Sequence, residues 1–264
     1  MPMLDCGTHQ LHYTCSGPEG ATPLLLLHSL GSSLEMWRKV VPALAEHYRV
    51  LCLDSRGHGG SSVPEGPYTL QQLGADAIAL LDALQVQRAH VCGLSLGGLM
   101  AMWLALHHPL RVDRLILANT ASRIGSDEVW QARMQQVQQQ GMEEIARVTP
   151  ERWFTPAYRQ AHADEMEQIR SMVASTAPQG YLGCCAVLRG SDLTAQLSKI
   201  EHASLVVAGS VDPATPPEQL RALWKALPQA RYLELEASHL SAWECSEQFA
   251  DAVLAFLLGD RRNG

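Results

Sequence analysis

The sequence has 264 residues, 47% hydrophobic and 18% charged, enough for one domain with a large core and without a compositional case for disorder. Lys and Arg number 20 against 27 Asp and Glu, a net charge of −7, which argues against a nucleic-acid binder whose affinity comes from neutralising phosphates. The longest aliphatic run, Leu24 to Leu27, is far too short to span a bilayer, and Met1-Pro2-Met3-Leu4-Asp5 has no basic segment leading into an apolar stretch, so neither a membrane span nor a secretory signal is expected.

In chain order, Leu4 to Gln10 and Leu11 to Cys15 read as an antiparallel pair at a sheet edge. Short apolar runs follow at Leu24 to Leu27, Arg49 to Leu53, Ala89 to Cys92, Arg114 to Leu117, Ser204 to Ala208 and Arg231 to Leu235. Runs that are apolar throughout predict strands covered on both faces, as in a parallel sheet. Between them lie amphipathic helical stretches, such as the one marked by Leu70, Leu73, Ala77, Leu80, Leu81 and Leu84. The alternation predicts a doubly wound α/β fold with a mostly parallel sheet. The seven cysteines, with Cys52 and Cys92 inside strand-like runs, read as reduced thiols of a cytoplasmic protein.

The rhythm breaks once. Residues 122–197 hold no convincing strand, and Pro150, Pro156 and Pro178 are expected to cut this stretch into short helices. It is read as a helical lid inserted into a core formed by residues 1–121 and 198–264.

Gly93-Leu94-Ser95-Leu96-Gly97-Gly98 directly follows the strand at Ala89 and directly precedes a helix-like run. A strand that turns at once into a helix forces the residue between them into a strained conformation, and side chains at Gly93 and Gly97 would collide with backbone. Ser95 is therefore the expected nucleophile. A serine hydroxyl needs a base, and on this architecture acid and base follow the serine in that order. His239 stands in the loop after the last strand, whereas His107, His108, His162 and His202 sit in less suitable places. Asp212 follows the strand at Ser204 and is preferred over Asp113 and Asp192; the preceding strand ends in Asn119-Thr120, with no carboxylate. The backbone N–H groups of Leu96 and Leu30 are the expected oxyanion donors. His28 is read as a loop brace, and in Asp54-Ser55-Arg56-Gly57-His58-Gly59 the Asp and Arg are expected to pair around a tight turn. His9 and His12 lie in the edge pair, and no His and carboxylate set has ligand spacing, so no metal and no cofactor is expected.

Taken together, these elements resemble the α/β-hydrolase fold over essentially the whole chain, and within it the 3-oxoadipate enol-lactonases of bacterial aromatic catabolism. The resemblance rests on Asn119-Thr120-Ala121-Ser122-Arg123-Ile124-Gly125, Glu128-Val129-Trp130 with Arg133, Arg152-Trp153-Phe154-Thr155, Pro178-Gln179-Gly180-Tyr181, Asp212-Pro213-Ala214-Thr215-Pro216 and His239-Leu240-Ser241. The chain departs from that pattern at His28, where the lactonases usually carry Asn, and at Ala242-Trp243, where they tend to carry Asn and a small aliphatic residue. The resemblance implies a serine hydrolase that opens 3-oxoadipate enol-lactone with water to give 3-oxoadipate. Its substrate would carry a carboxylate, for which Arg133 is the expected partner, with Trp130 packing the ring and Arg123 as second choice. Open alternatives are a carboxylesterase or other lactonase with the same triad, a carbon–carbon bond hydrolase or a cofactor-free haloperoxidase. The expected partner is a small lactone or ester, and the sequence does not fix an oligomeric state.

Overall fold

The computed structural model describes residues 2–259. Among these residues eight strands form one sheet: β1 (Met3–Asp5), β2 (Gln10–Ser16), β3 (Pro23–Leu27), β4 (Arg49–Leu53), β5 (Ala89–Leu94), β6 (Val112–Ala118), β7 (Ser204–Gly209) and β8 (Ala230–Leu235), in spatial order β1-β2-β4-β3-β5-β6-β7-β8. Only the β1–β2 and β2–β4 pairings are antiparallel. Successive strand residues point to opposite faces, so a strand buried at every position is covered on both sides. That is the case along all of β5 and β7 and along all but the first residue of β3 and β4.

The helices are α1 (Val41–Ala45), α2 (Leu70–Ala83), α3 (Leu96–His107), α4 (Asp127–Trp153), α5 (Pro156–Ala161), α6 (Ala163–Ala174), α7 (Pro178–Gly190), α8 (Pro217–Ala226), α9 (Ser241–Glu244) and α10 (Ser246–Leu258). Helix α3 is buried almost all round, as its run of apolar residues requires, and packs against α2 and the central strands. Between β6 and β7 the chain forms α4 to α7 and no strand. Because β3, β5, β6, β7 and β8 run parallel, the loops that leave their carboxyl ends gather at one rim, where ligands bind in such sheets.

Two local expectations are corrected. The first edge strand is only three residues long, because Gly7 adopts φ 79° and Cys6 N–H donates to His9 O (2.9 Å), making a turn of residues 6–9. Pro150 does not end a helix: it lies inside the last turns of α4, and the interruption falls instead at Gly141, whose φ of 75° and ψ of −175° are not helical. Pro150 removes one N–H···O bond, but buried Ile145, Ala146, Thr149 and Trp153 hold the segment, so packing outweighs the loss. Pro156 and Pro178 stand in the first turns of α5 and α7, where a missing N–H leaves no hydrogen bond unmade.

Candidate active site

The turn from β5 to α3 has the geometry its glycines demand. Ser95 adopts φ 60° and ψ −115°; a Cβ on Gly93 would lie 2.0 Å from Gly97 O, and one on Gly97 would lie 2.0 Å from Leu27 O. The carbonyl of Ser95 accepts from Thr120 Oγ1 (2.7 Å), which pins the strained turn to the end of β6. Ser95 thus stands at the amino end of α3, buried but lining a cavity at the rim.

Asp212 lies just past β7 and is 2% exposed, and its carboxylate is fully engaged. Oδ1 accepts from the N–H groups of Ala214 (2.8 Å) and Thr215 (3.1 Å); Oδ2 accepts from Thr215 Oγ1 (2.7 Å), Asn119 Nδ2 (3.0 Å) and His239 Nδ1 (2.8 Å). Burial alone would raise its pKa, but the facing His239 and these donors outweigh that and hold it below the ordinary carboxylate value. With Nδ1–H committed to Asp212, the His239 ring presents Nε2 as its free nitrogen. His239 and Ser95 line the same cavity. Among the described residues no hydrogen bond joins the serine hydroxyl to the ring, a looseness usual in such sites before substrate binds.

Leu30 lies in the loop after β3, between Ser29 N–H, which donates to Met36 Sδ (3.3 Å), and Gly31 N–H, which donates to His58 Nε2 (3.0 Å). Neither Leu30 N–H nor Leu96 N–H donates to a protein acceptor among the described residues. His28 is fully buried, with Nδ1 on Ser29 O (2.7 Å) and Nε2 accepting from Ser55 N–H (2.9 Å), so its ring is consumed in holding two loops together.

The far wall of the cavity comes from the helices between β6 and β7 and includes Trp130, Arg133, Arg152, Trp153 and Tyr181. Trp130 Nε1–H donates to Ile124 O (2.6 Å), which fixes the indole. Arg123 is not part of this wall: it is exposed and faces Asp192 at 3.8 Å on the surface. Arg152, not singled out from the sequence as a substrate residue, does reach the cavity. Partial burial and the nearby Arg133 charge push its pKa down against the opposing pull of Tyr181 and Asp212. Among the described residues neither Arg133 nor Arg152 forms a salt bridge. Two guanidiniums without carboxylate partners at one cavity make a receptor for an anion. Its signal lay in the Arg152-Trp153 pair, at the far end of α4 from Trp130 and Arg133, beyond the interruption at Gly141.

The Asp54 to Gly59 turn also differs from expectation. Asp54 accepts from Leu34 N–H (2.7 Å), Gly60 N–H (2.9 Å) and the His12 ring (2.6 Å), while Arg56 pairs with Asp76 of α2 (2.6 Å) beside His9. Backbone donors claim the aspartate, so the arginine turns to the helix. Among the described residues no group of three or more His, Cys, Asp or Glu could hold a metal ion, and no helix is long and apolar enough to cross a membrane.

The profile of the alpha/beta hydrolase fold matches residues 22–244. The chain belongs to the α/β-hydrolase family. It is 40% identical over 247 residues to 3-oxoadipate enol-lactonase 2 of Acinetobacter baylyi, covering 94% of this chain and 92% of that one. The crystal structure of the enol-lactonase from Burkholderia xenovorans LB400 superposes with a TM-score of 0.95 at 40% identity, covering 97% of this chain and 99% of the other. A hydrolase from Pseudomonas aeruginosa PA01 superposes with a TM-score of 0.94 at 43% identity, covering 97% of each chain. The family member described here is a hydrolase enzyme.

Proposed function

We propose that this α/β-hydrolase opens a small enol-lactone bearing a carboxylate, the 3-oxoadipate enol-lactone, with Ser95, His239 and Asp212 as its triad. The observation that carries the reading is one cavity lined by Ser95, His239 and the guanidiniums of Arg133 and Arg152, which have no carboxylate partner among the described residues. The anion receptor selects the substrate's carboxylate and leaves the lactone carbonyl over Ser95. Residues 122–197 act as the lid that carries this receptor, and residues 1–121 with 198–264 carry the triad. Seven free cysteines fit a reducing, cytoplasmic setting.

His239 Nε2 takes the Ser95 proton as Oγ bonds to the lactone carbonyl carbon. The N–H groups of Leu30 and Leu96 hold the oxyanion while Asp212 stabilises the imidazolium. The ring C–O bond breaks, and the enol oxygen takes the proton back from His239. The developing enolate is delocalised, which makes it a better leaving group than an alkoxide, and the enol, still tethered in the acyl-enzyme, then tautomerises to the ketone. Water, deprotonated by His239, then attacks the acyl carbon; Ser95 leaves with the returned proton, and the keto acid carries two carboxylates.

The deciding experiment follows the absorbance loss of freshly generated 3-oxoadipate enol-lactone and, in parallel, hydrolysis of p-nitrophenyl acetate. The lactone is expected to be turned over with the higher kcat/KM, and Ser95→Ala to lose roughly 10⁴-fold or more on both. Better turnover of the neutral ester would replace this reading with a plain carboxylesterase, and full activity in Ser95→Ala would remove the triad.

A further inference from the structure

Asn119 stands one residue past β6, on the strand end where an acid is absent, and its backbone φ of 43° lies in the left-handed region. Asparagine tolerates that conformation better than most side chains, but it still needs a reason to be held there. The residue is wholly buried, and its amide is fully used. One Nδ2 proton goes to Asp212 Oδ2 (3.0 Å), the same oxygen that accepts from His239, and the other goes to Ser238 O (3.1 Å). Oδ1 accepts from Ser241 Oγ (2.5 Å), and the Asn119 backbone N–H donates to Val207 O of β7 (2.8 Å). Ser238 and Ser241 bracket His239 in the chain. The arrangement leaves no spare room: a Cβ on Gly209 would lie 2.2 Å from Ser238 O and 3.0 Å from Asn119 Nδ2.

We infer that Asn119 is a positioning residue that locks the acid loop after β7 and the histidine loop after β8 into one unit, setting the Asp212–His239 hydrogen bond. The inference rests on the triad reading above. Asp212 keeps Thr215 when Asn119 is removed, so the carboxylate stays partnered, but the two loops lose the only side chain among the described residues that hydrogen-bonds to both Asp212 and Ser238. Asn119 does not line the cavity, so its loss acts on the chemical step and leaves substrate binding alone.

The test uses the full chain with Asn119→Ala, and Ser95→Ala as control. Reaction of Ser95 with a fluorophosphonate reports nucleophile activation whatever the natural substrate is. Asn119→Ala should slow the maximal labelling rate and kcat about 10- to 100-fold, with KM within about threefold, in line with loss of hydrogen bonds to a charged group. The far-downfield proton resonance of His239 Nδ1–H should shift or broaden in the same variant at a temperature where circular dichroism shows it folded. A role in folding alone would lower the unfolding midpoint and leave both the labelling rate and the resonance of the folded protein unchanged; that result overturns the inference. Should Asn119→Ala fail to fold, Asn119→Ser keeps one short donor and is expected to fall between wild type and the tenfold loss, while wild-type rates in it reject the role. Labelling of Ser95→Ala at the wild-type rate would instead reject the triad itself, so the two failures are distinct.

Discussion

At the scale of single residues, the chemistry divides between groups that react and groups that choose the substrate. In the proposed reading Arg133 and Arg152 do the choosing, and each has a separate consequence. An arginine that pairs with a substrate carboxylate inside a closed site contributes a charged hydrogen bond of roughly 1.5 to 3 kcal/mol, a factor of about 10 to 150 in affinity. Arg133→Ala and Arg152→Met are each expected to raise KM for the anionic lactone by about that factor and to leave p-nitrophenyl acetate within about twofold. Equal losses on both substrates in steady-state assays would mean that the arginines shape the cavity and do not read charge. Arg133 was singled out because the resemblance to the lactonases implies a substrate carboxylate, which calls for a cation beside Trp130. Arg152 was not, because its face depends on how the chain resumes after Gly141, and no periodicity carries through a residue at φ 75°. The proposed triad was named on a different footing: each member follows a strand-like run in the sequence, and parallel strands bring their ends together.

At the scale of elements, the helices between β6 and β7 and the histidine loop are stitched to each other. Ser238 Oγ donates to Arg152 O (3.0 Å), and Leu240 N–H donates to Trp153 O (3.0 Å). Glu244 of α9 completes the seam: Oε2 accepts from Ser238 N–H (2.9 Å), and Oε1 accepts from Thr155 N–H (3.0 Å) and from the Thr155 hydroxyl. Trp243, one of the departures from the lactonase pattern, stays out of the cavity; its Nε1–H donates to Glu165 of α6 (2.6 Å), which also pairs with Lys39 (2.7 Å). Trp243 therefore ties α9 to α6. Glu244→Ala strips acceptors from two backbone N–H groups, and a buried donor left unpaired costs about 1 to 3 kcal/mol. Urea unfolding should show a loss of that size, and kcat should drop with it because the seam borders His239; Glu244→Gln, with one acceptor left, should fall between. Unchanged stability in the alanine variant would mean that the seam is held by the Arg152 and Trp153 carbonyls alone.

At the scale of the whole molecule, one sheet orders both the fold and the response to acid. The central strands were readable because burial on both faces leaves them no polar positions, whereas β1 was overextended in the reading because an exposed edge imposes no such pattern. The same burial traps two imidazoles under the rim. His28 and His58 are both buried, their ring centroids 5.4 Å apart, and each accepts a backbone N–H on Nε2, from Ser55 and Gly31 respectively. Burial lowers both pKa values; His58, which also faces His28, is brought down to about 3 in spite of the Arg56 carbonyl beside it. A histidine whose folded pKa lies below its unfolded value of about 6.5 leaves the unfolded chain binding more protons, so stability falls as pH drops below that value. For His58 alone the loss reaches about 2 to 3 kcal/mol at pH 4.5, a large part of the 5 to 15 kcal/mol typical of a domain. Asp212 works in a lower window: its depressed pKa adds stability above the ordinary carboxylate value and loses it only as pH falls through the folded one. Urea unfolding between pH 7.5 and 4.5 should show the wild type weakening from about pH 6.5 downward. His58→Gln keeps an acceptor for Gly31 N–H without a titrating ring, so its curve should be flatter by about 2 kcal/mol at pH 4.5. Parallel curves would move the acid sensitivity away from His58, and with it the expectation that acid loosens the molecule first at Gly31, beside Leu30, the proposed oxyanion donor.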